Sequence, residues 1–253
     1  MSRTIFAANW KMHHGPAAAR DLVRAVLARV RPKEGRTLLF FPPAVSLPAV
    51  AAEVGGRKDA AAGVQNVYWE SKGAFTGEVS APIAAEAGAT WALIGHSERR
   101  HKFGETDEET GKKVRAVLAA GLAPMLCVGE KIEERRSGQT EAVVLRQLEA
   151  GLGGLDAATL SQVTIAYEPV WAIGTGVTAT PQDAAAVHRT IRAWFRARIP
   201  AGSRACILYG GSVNAKNAAE LLAEEELDGV LVGGASLAAD AWVTICETER
   251  PSR

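Results

Sequence analysis

Eight short apolar runs recur along the chain, each followed by a longer stretch, and this alternation limits the fold more than any other feature. The runs span residues 4–10, 36–42, 59–65, 90–95, 122–128, 162–168, 204–210 and 228–233. Most are apolar throughout, as expected of parallel strands covered on both faces. Helix signals fall between them. Gly15-Pro16 opens a helix with proline in its first turn. Val114, Val117 and Leu118 place apolar side chains on one helical face. Thr180-Pro181-Gln182-Asp183 reads as an N-cap, a proline at the first helical position and an acidic residue at the third. Val187, Ile191, Trp194 and Phe195 then form an inward stripe, and the helix stops before Pro200 and Gly202. No low-complexity linker or charge block divides the chain. The expected fold is therefore α/β, a closed (β/α)8 barrel forming a single domain over residues 1–253. The competing architecture is an open doubly wound sheet. Its glycine-rich signature after the first strand is missing, because Asn9-Trp10-Lys11 occupies that turn.

Composition narrows the function class. Lys and Arg number 29 against 28 Asp and Glu, so no electrostatic footprint for nucleic acid or an anionic membrane is present. The longest uncharged run, 37–52, contains Pro42, Pro43 and Pro48 and falls short of the roughly 20 apolar residues of a spanning helix. Cys127, Cys206 and Cys246 are far apart and make no metal spacing, which points to a reducing compartment. The start lacks the long apolar region and small-residue cleavage site of a signal peptide. The expectation is a soluble, cytoplasmic protein that uses no metal.

In a barrel, chemistry sits where strands end and loops begin. Strand one ends in Asn9-Trp10-Lys11, an amide and an ammonium suited to holding an anion or polarising a carbonyl, or else a rim lysine with no such role. Strand four ends in Gly95-His96-Ser97-Glu98. A helix starting there would disfavour positive charge on His96 and keep the imidazole able to donate to a substrate oxygen. A structural histidine bonded to backbone is the alternative. His13, His14, His101 and His188 are read as surface residues. Strand six ends in Tyr167-Glu168-Pro169, a carboxylate placed to act as a general base or to pair with a rim cation. The segment Pro169, Val170, Trp171, Ala172, Ile173, Gly174, Thr175, Gly176 is apolar, with a stiff proline at one end and two permissive glycines at the other. Exposed Trp and Ile need something to cover, so the segment reads as a lid. Strands seven and eight end in Gly210-Gly211-Ser212-Val213 and Gly233-Gly234-Ala235-Ser236. Glycine turns ahead of helices let backbone N–H groups approach a phosphate, and barrels often place a phosphate site there. Cys127 sits among apolar residues and reads as packed, not nucleophilic.

These segments resemble the triosephosphate isomerase family along nearly the whole chain. The matching pieces are Asn9-Trp10-Lys11, Gln65-Asn66, and residues 73–78, 95–99, 167–176, 209–213 and 233–237, with AYEPVWAIGTG at 166–176 the most specific. The resemblance implies a TIM barrel without a cofactor, acting on a triose phosphate by proton transfer through an enediolate. It implies Glu168 as base, His96 as neutral electrophile, and Lys11 and Asn9 as electrostatic and hydrogen-bonding supports. It also implies phosphate contacts from Gly174, Ser212, Gly233 and Gly234. The long 63–78 loop carries Val67, Tyr68, Trp69 and Phe75, a composition suited to a subunit interface. The family forms homodimers in which this loop enters the partner, and Thr76 occupies the matching tip. Another phosphate-binding barrel enzyme, or a catalytically silent protein on the same fold, would lack this combination of Lys11, His96 and Glu168.

Overall fold

The computed structural model describes residues 4–173 and 179–250. Its eight parallel strands close into a barrel in chain order: β1 (Thr4–Asn9), β2 (Arg36–Phe41), β3 (Ala60–Val64), β4 (Trp91–Ile94), β5 (Ala123–Val128), β6 (Thr164–Tyr167), β7 (Cys206–Tyr209) and β8 (Gly229–Val232). Every run singled out in the sequence contains one of them. Closure is made by β1 against β8, with Ile5 opposite Gly229 and Ala8 opposite Val232. The α-helices around the barrel are α1 (Pro16–Arg29), α2 (Leu47–Val54), α3 (Ala81–Glu86), α4 (Ser97–Lys102), α5 (Asp107–Ala119), α6 (Ile132–Arg136), α7 (Thr140–Leu152), α8 (Ala157–Leu160), α9 (Pro181–Arg196), α10 (Ala218–Ala223) and α11 (Ala239–Cys246).

The helix ends follow their local chemistry. Helix α1 begins at Pro16, where the missing N–H is no loss. Thr180 caps α9 through its side chain to the Asp183 N–H, and Asp183 answers to the Thr180 N–H. Such a reciprocal cap satisfies two orphan donors. Val187, Ile191, Trp194 and Phe195 of α9 are all buried.

Strand periodicity sorts the side chains into two cores. Ile5 and Ala7, Leu39 and Phe41, Trp91 and Leu93, Met125 and Cys127, and single residues Ala166, Leu208 and Leu231 fill the barrel interior. Their alternates, such as Phe6, Ala8, Leu38 and Phe40, pack outward beneath the helices. Inward parity, carried to the strand ends and up to two residues beyond, leads to Asn9 and Lys11 from β1, Glu168 from β6 and Gly233 from β8. All four line one cavity at the C-terminal mouth. His96 has the outward parity of Ala92 and Ile94, yet it also lines the mouth. Gly95 lies between, at a φ of 69° that a residue with a Cβ adopts reluctantly, and the chain changes direction there.

Candidate active site

The cavity at the C-terminal mouth has a volume of about 320 Å³ and is lined by Asn9, Lys11, His96, Glu168, Ile173 and the turns after β7 and β8. The sequence-predicted residues Ser212, Gly233 and Gly234 are among them. Gly174, Thr175 and Gly176 lie outside the described residues.

Lys11 reaches the mouth on a backbone with φ of 50°, unusual for a residue with a side chain. Two contacts hold it there. The Lys11 N–H donates to Asn9 Oδ1 at 3.0 Å, and Gln65 Nε2 donates to the Lys11 carbonyl at 2.8 Å. Gln65 also donates to Asn9 Oδ1 at 3.3 Å, so one amide from the end of β3 orients both β1 residues. The Lys11 ammonium pairs with Glu98 Oε1 at 3.2 Å. Burial pushes the Glu98 carboxyl up, but the Lys11 charge and hydrogen bond outweigh it and hold the group below its ordinary range.

His96 is the N-cap of α4, as the sequence argument required. The Glu98 N–H donates to His96 Nδ1 at 3.2 Å. A ring nitrogen that accepts carries no proton, so in the neutral ring the hydrogen belongs to Nε2. Nε2 stands 3.2 Å from Glu168 Oε1. The second Glu168 oxygen accepts from the Ser97 N–H at 2.8 Å. Glu168 is only 2% exposed, so His96 and the start of α4 fix a carboxylate that comes from the end of β6, two strands away.

A buried ionic network stands behind α4. Glu105, 6% exposed, accepts from the Gly95 N–H and pairs with Arg99 and Lys113 at 3.2 and 3.1 Å. Arg100 donates to the carbonyls of Gly95 and Cys127 and pairs with Asp107. These residues tie the ends of β4 and β5 together. Sequence reasoning missed them, because their charges read as an ordinary solvated helix face. Cys127 is fully buried, and burial together with the Glu168 charge pushes its thiol well above the ordinary range. It is packed, as expected.

The start of the apolar segment after β6 is docked. Val170–Ala172 forms a 3-10 turn, the Val170 N–H donates to the Glu130 carbonyl, and Trp171 Nε1 donates to Glu130 Oε1 at 2.9 Å. Glu130 is completely buried and also accepts from the Tyr167 hydroxyl. The Arg135 guanidinium lies over the Trp171 ring at 4.6 Å. Glu130 carried no sequence signal, since it sits in a polar turn.

Two expectations need correction. His188, read as a surface residue, is fully buried on α9, with Nδ1 at 3.1 Å from the Glu226 carbonyl. Its face of α9 turns inward with Ala184, Val187 and Ile191, so helical phase overrides residue polarity. The glycine turn after β7 does not lead directly into a helix, for α10 starts only at Ala218, whereas the turn after β8 passes into a 3-10 turn at Gly234–Ser236. The aromatics of the 63–78 loop largely satisfy one another. Val67 is buried, Tyr68 stacks on Trp69 at 4.0 Å and meets Phe75 at 4.5 Å, and Phe75 stays 39% exposed near the tip.

Comparison with known proteins agrees with this geometry. The family model described as triosephosphate isomerase matches residues 4–249. A triosephosphate isomerase from Marinobacter nauticus is 46% identical, with 98% of each chain covered. One from Herpetosiphon aurantiacus is 47% identical over 97% of this chain and 98% of its own. The crystal structure of triosephosphate isomerase from Bartonella henselae superposes with a TM-score of 0.87 at 38% identity, covering 98% of this chain and all of the other.

Proposed function

Because the chain belongs to the triosephosphate isomerase family, we propose that its C-terminal mouth works through Glu168 as base, His96 as electrophile and Lys11 and Asn9 as supports. The enzyme interconverts dihydroxyacetone phosphate and D-glyceraldehyde 3-phosphate, an aldose–ketose isomerisation of glycolysis and gluconeogenesis. The observation that carries the residue assignment is the pair Glu168 Oε1 and His96 Nε2 at 3.2 Å, buried at the wall of a cavity that Lys11 also lines.

In this reading, Glu168 takes a proton from the carbon beside the carbonyl. The His96 Nε2–H and the Lys11 ammonium stabilise the charge growing on oxygen. Glu168 then returns the proton to the neighbouring carbon. Ser212, Gly233 and Gly234, in the turns after β7 and β8, offer backbone to the phosphate. The segment beginning at Pro169 serves as a lid, and Ile173 already lines the cavity. Excluding water there protects the enediolate from losing phosphate. No cofactor enters this chemistry, because the proton leaves and returns on one carboxylate.

The reading includes a homodimer in a cytoplasmic setting. It is supported by free cysteines, by the exposed Phe75 and by Met12, 93% exposed one residue beyond Lys11. Among the described residues, no helix is long and apolar enough to cross a membrane. A coupled assay with glyceraldehyde 3-phosphate and no added metal tests the chemistry, and inactivity of the folded enzyme would end the residue assignment. Phe75→Glu with Thr76→Arg tests the dimer, since unpaired charge in a contact costs about 3–5 kcal/mol. Sedimentation should then show folded monomers with much reduced activity, and a fully active monomer would show that the site stands without a partner.

A further inference from the structure

The backbone behind Glu168 is held by a side chain that does not line the cavity. Glu168 donates its N–H to the Val128 carbonyl at 2.8 Å, so it hangs on the end of β5. The next residue, Gly129, lies flat against it. A Cβ on Gly129 would stand 1.8 Å from the Glu168 carbonyl oxygen, so the two backbones have no slack between them. Gly129 is past the last β5–β6 ladder pair, Val128 opposite Tyr167, and its own peptide groups need partners elsewhere.

Gln147 supplies them. It projects from α7, is 4% exposed, and its amide makes both bonds to one residue. Its Oε1 accepts from the Gly129 N–H at 2.7 Å, and its Nε2 donates to the Gly129 carbonyl at 3.2 Å. The side chain thus acts as a short strand edge, clamping Gly129 from the helix side while Glu168 presses from the other. We infer that Gln147 is a positioning residue for Glu168, acting through Gly129 to fix the carboxylate opposite His96. The inference rests on the reading of Glu168 as the base. A carboxylate displaced by even about 1 Å costs on the order of 10²-fold in rate, because proton transfer depends on a near-attack geometry. Among the described residues the Gln147 side chain hydrogen-bonds Gly129 alone, and the phosphate turns after β7 and β8 do not depend on that bond, so phosphate affinity should not follow the same loss.

The test is Gln147→Met, which keeps length and removes both bonds, measured beside Gln147→Glu, which as a carboxylate keeps the acceptor and removes the donor. Val144→Ala on the same helix serves as a control that loosens α7 without touching Gly129. Turnover per folded molecule and the dissociation constant for inorganic phosphate are read on each. Gln147→Met should lower kcat at least tenfold with phosphate affinity within about twofold of the parent, and Gln147→Glu should fall between. Should Gln147→Met fail to fold, Gln147→Glu alone carries the same comparison. Unchanged kcat, or a loss that Val144→Ala reproduces, would overturn the inference and leave Gln147 a structural residue. Glu168→Gln in the same series separates the two claims. If that variant retains full turnover, the base assignment fails, and if it is inactive while both Gln147 variants are normal, only the positioning claim fails.

Discussion

The two mouths of the barrel carry the same kinds of residue and use them in opposite ways. At the N-terminal mouth, Asp228 meets Arg192 at 2.9 Å, Arg250 at 3.3 Å and Arg204 at 3.4 Å, and also accepts from the Ile207 N–H. Asp59 is met by Arg57 and Arg36 in the same manner. Burial pushes the Asp59 carboxyl up, but its arginine hydrogen bonds prevail and hold it low. At the C-terminal mouth, no arginine pairs with Glu168 among the described residues; its oxygens meet the His96 imidazole and one backbone N–H. The lesson concerns charge pairing more than cavity size. A cavity of about 930 Å³ opens beside Arg36 and Asp59, where the carboxylate is already paired with arginines. A carboxylate surrounded by cations holds a fold together, whereas Glu168, beside an imidazole at the wall of a smaller cavity, is the one proposed for proton transfer.

That contrast breaks most readily at Glu168. Glu168→Gln preserves shape and one of the two accepting edges but cannot accept the proton. The expected loss in kcat is at least the roughly 10²–10⁴-fold that general-base catalysis contributes, with thermal stability near that of the parent. Wild-type turnover would show that the two mouths do not differ in kind.

The reciprocal change is Asp228→Ala, which leaves buried arginines short of their carboxylate. Losing one partner of a buried pair costs about 3–5 kcal/mol, and denaturant midpoints should fall accordingly while kcat per folded molecule holds. A loss of kcat at unchanged stability would reverse the division proposed between the mouths.

A smaller effect belongs to pH. Burial depresses the His188 pKa from 6.5 to about 4, although its bond to the Glu226 carbonyl opposes this. The unfolded chain therefore binds a proton in the window between these values while the folded chain does not. Stability contributed by the neutral ring is full above about pH 6.5 and is lost as pH falls towards 4, by roughly 3 kcal/mol. Urea unfolding at pH 7 and pH 4.5, compared between the parent and His188→Gln, should show a steeper acid loss in the parent. Equal slopes would remove His188 from the acid response.

How far the sequence could be read differs between β6 and its surroundings. Glu168 was legible because an apolar strand ending in a carboxylate, followed by proline, is a local pattern. Gln147, Glu130 and Glu105 were not, because each works through a contact 18 to 41 positions away or through a backbone bond at the end of another strand. Nothing in their own neighbourhood distinguishes them from the solvated polar residues of α7, the β5 turn and the α4 loop. Gln65 was legible only as part of a resemblance, and the structure alone shows its amide holding Asn9 and Lys11.

The sequence by itself determined the order of elements, the eight strands and where each strand ends, since hydrophobic period, caps and turn residues act over a few positions. Tertiary structure alone decided which polar residues converge. Ser97 and Glu168 are 71 positions apart and meet at 2.8 Å only because closing β1 on β8 sets every strand end around one ring. It also decided that His96 lines the mouth and that His188 is a core residue. Both are isolated histidines at the level of sequence, but a positive φ at Gly95 turns one towards the mouth, and the inward phase of α9 buries the other.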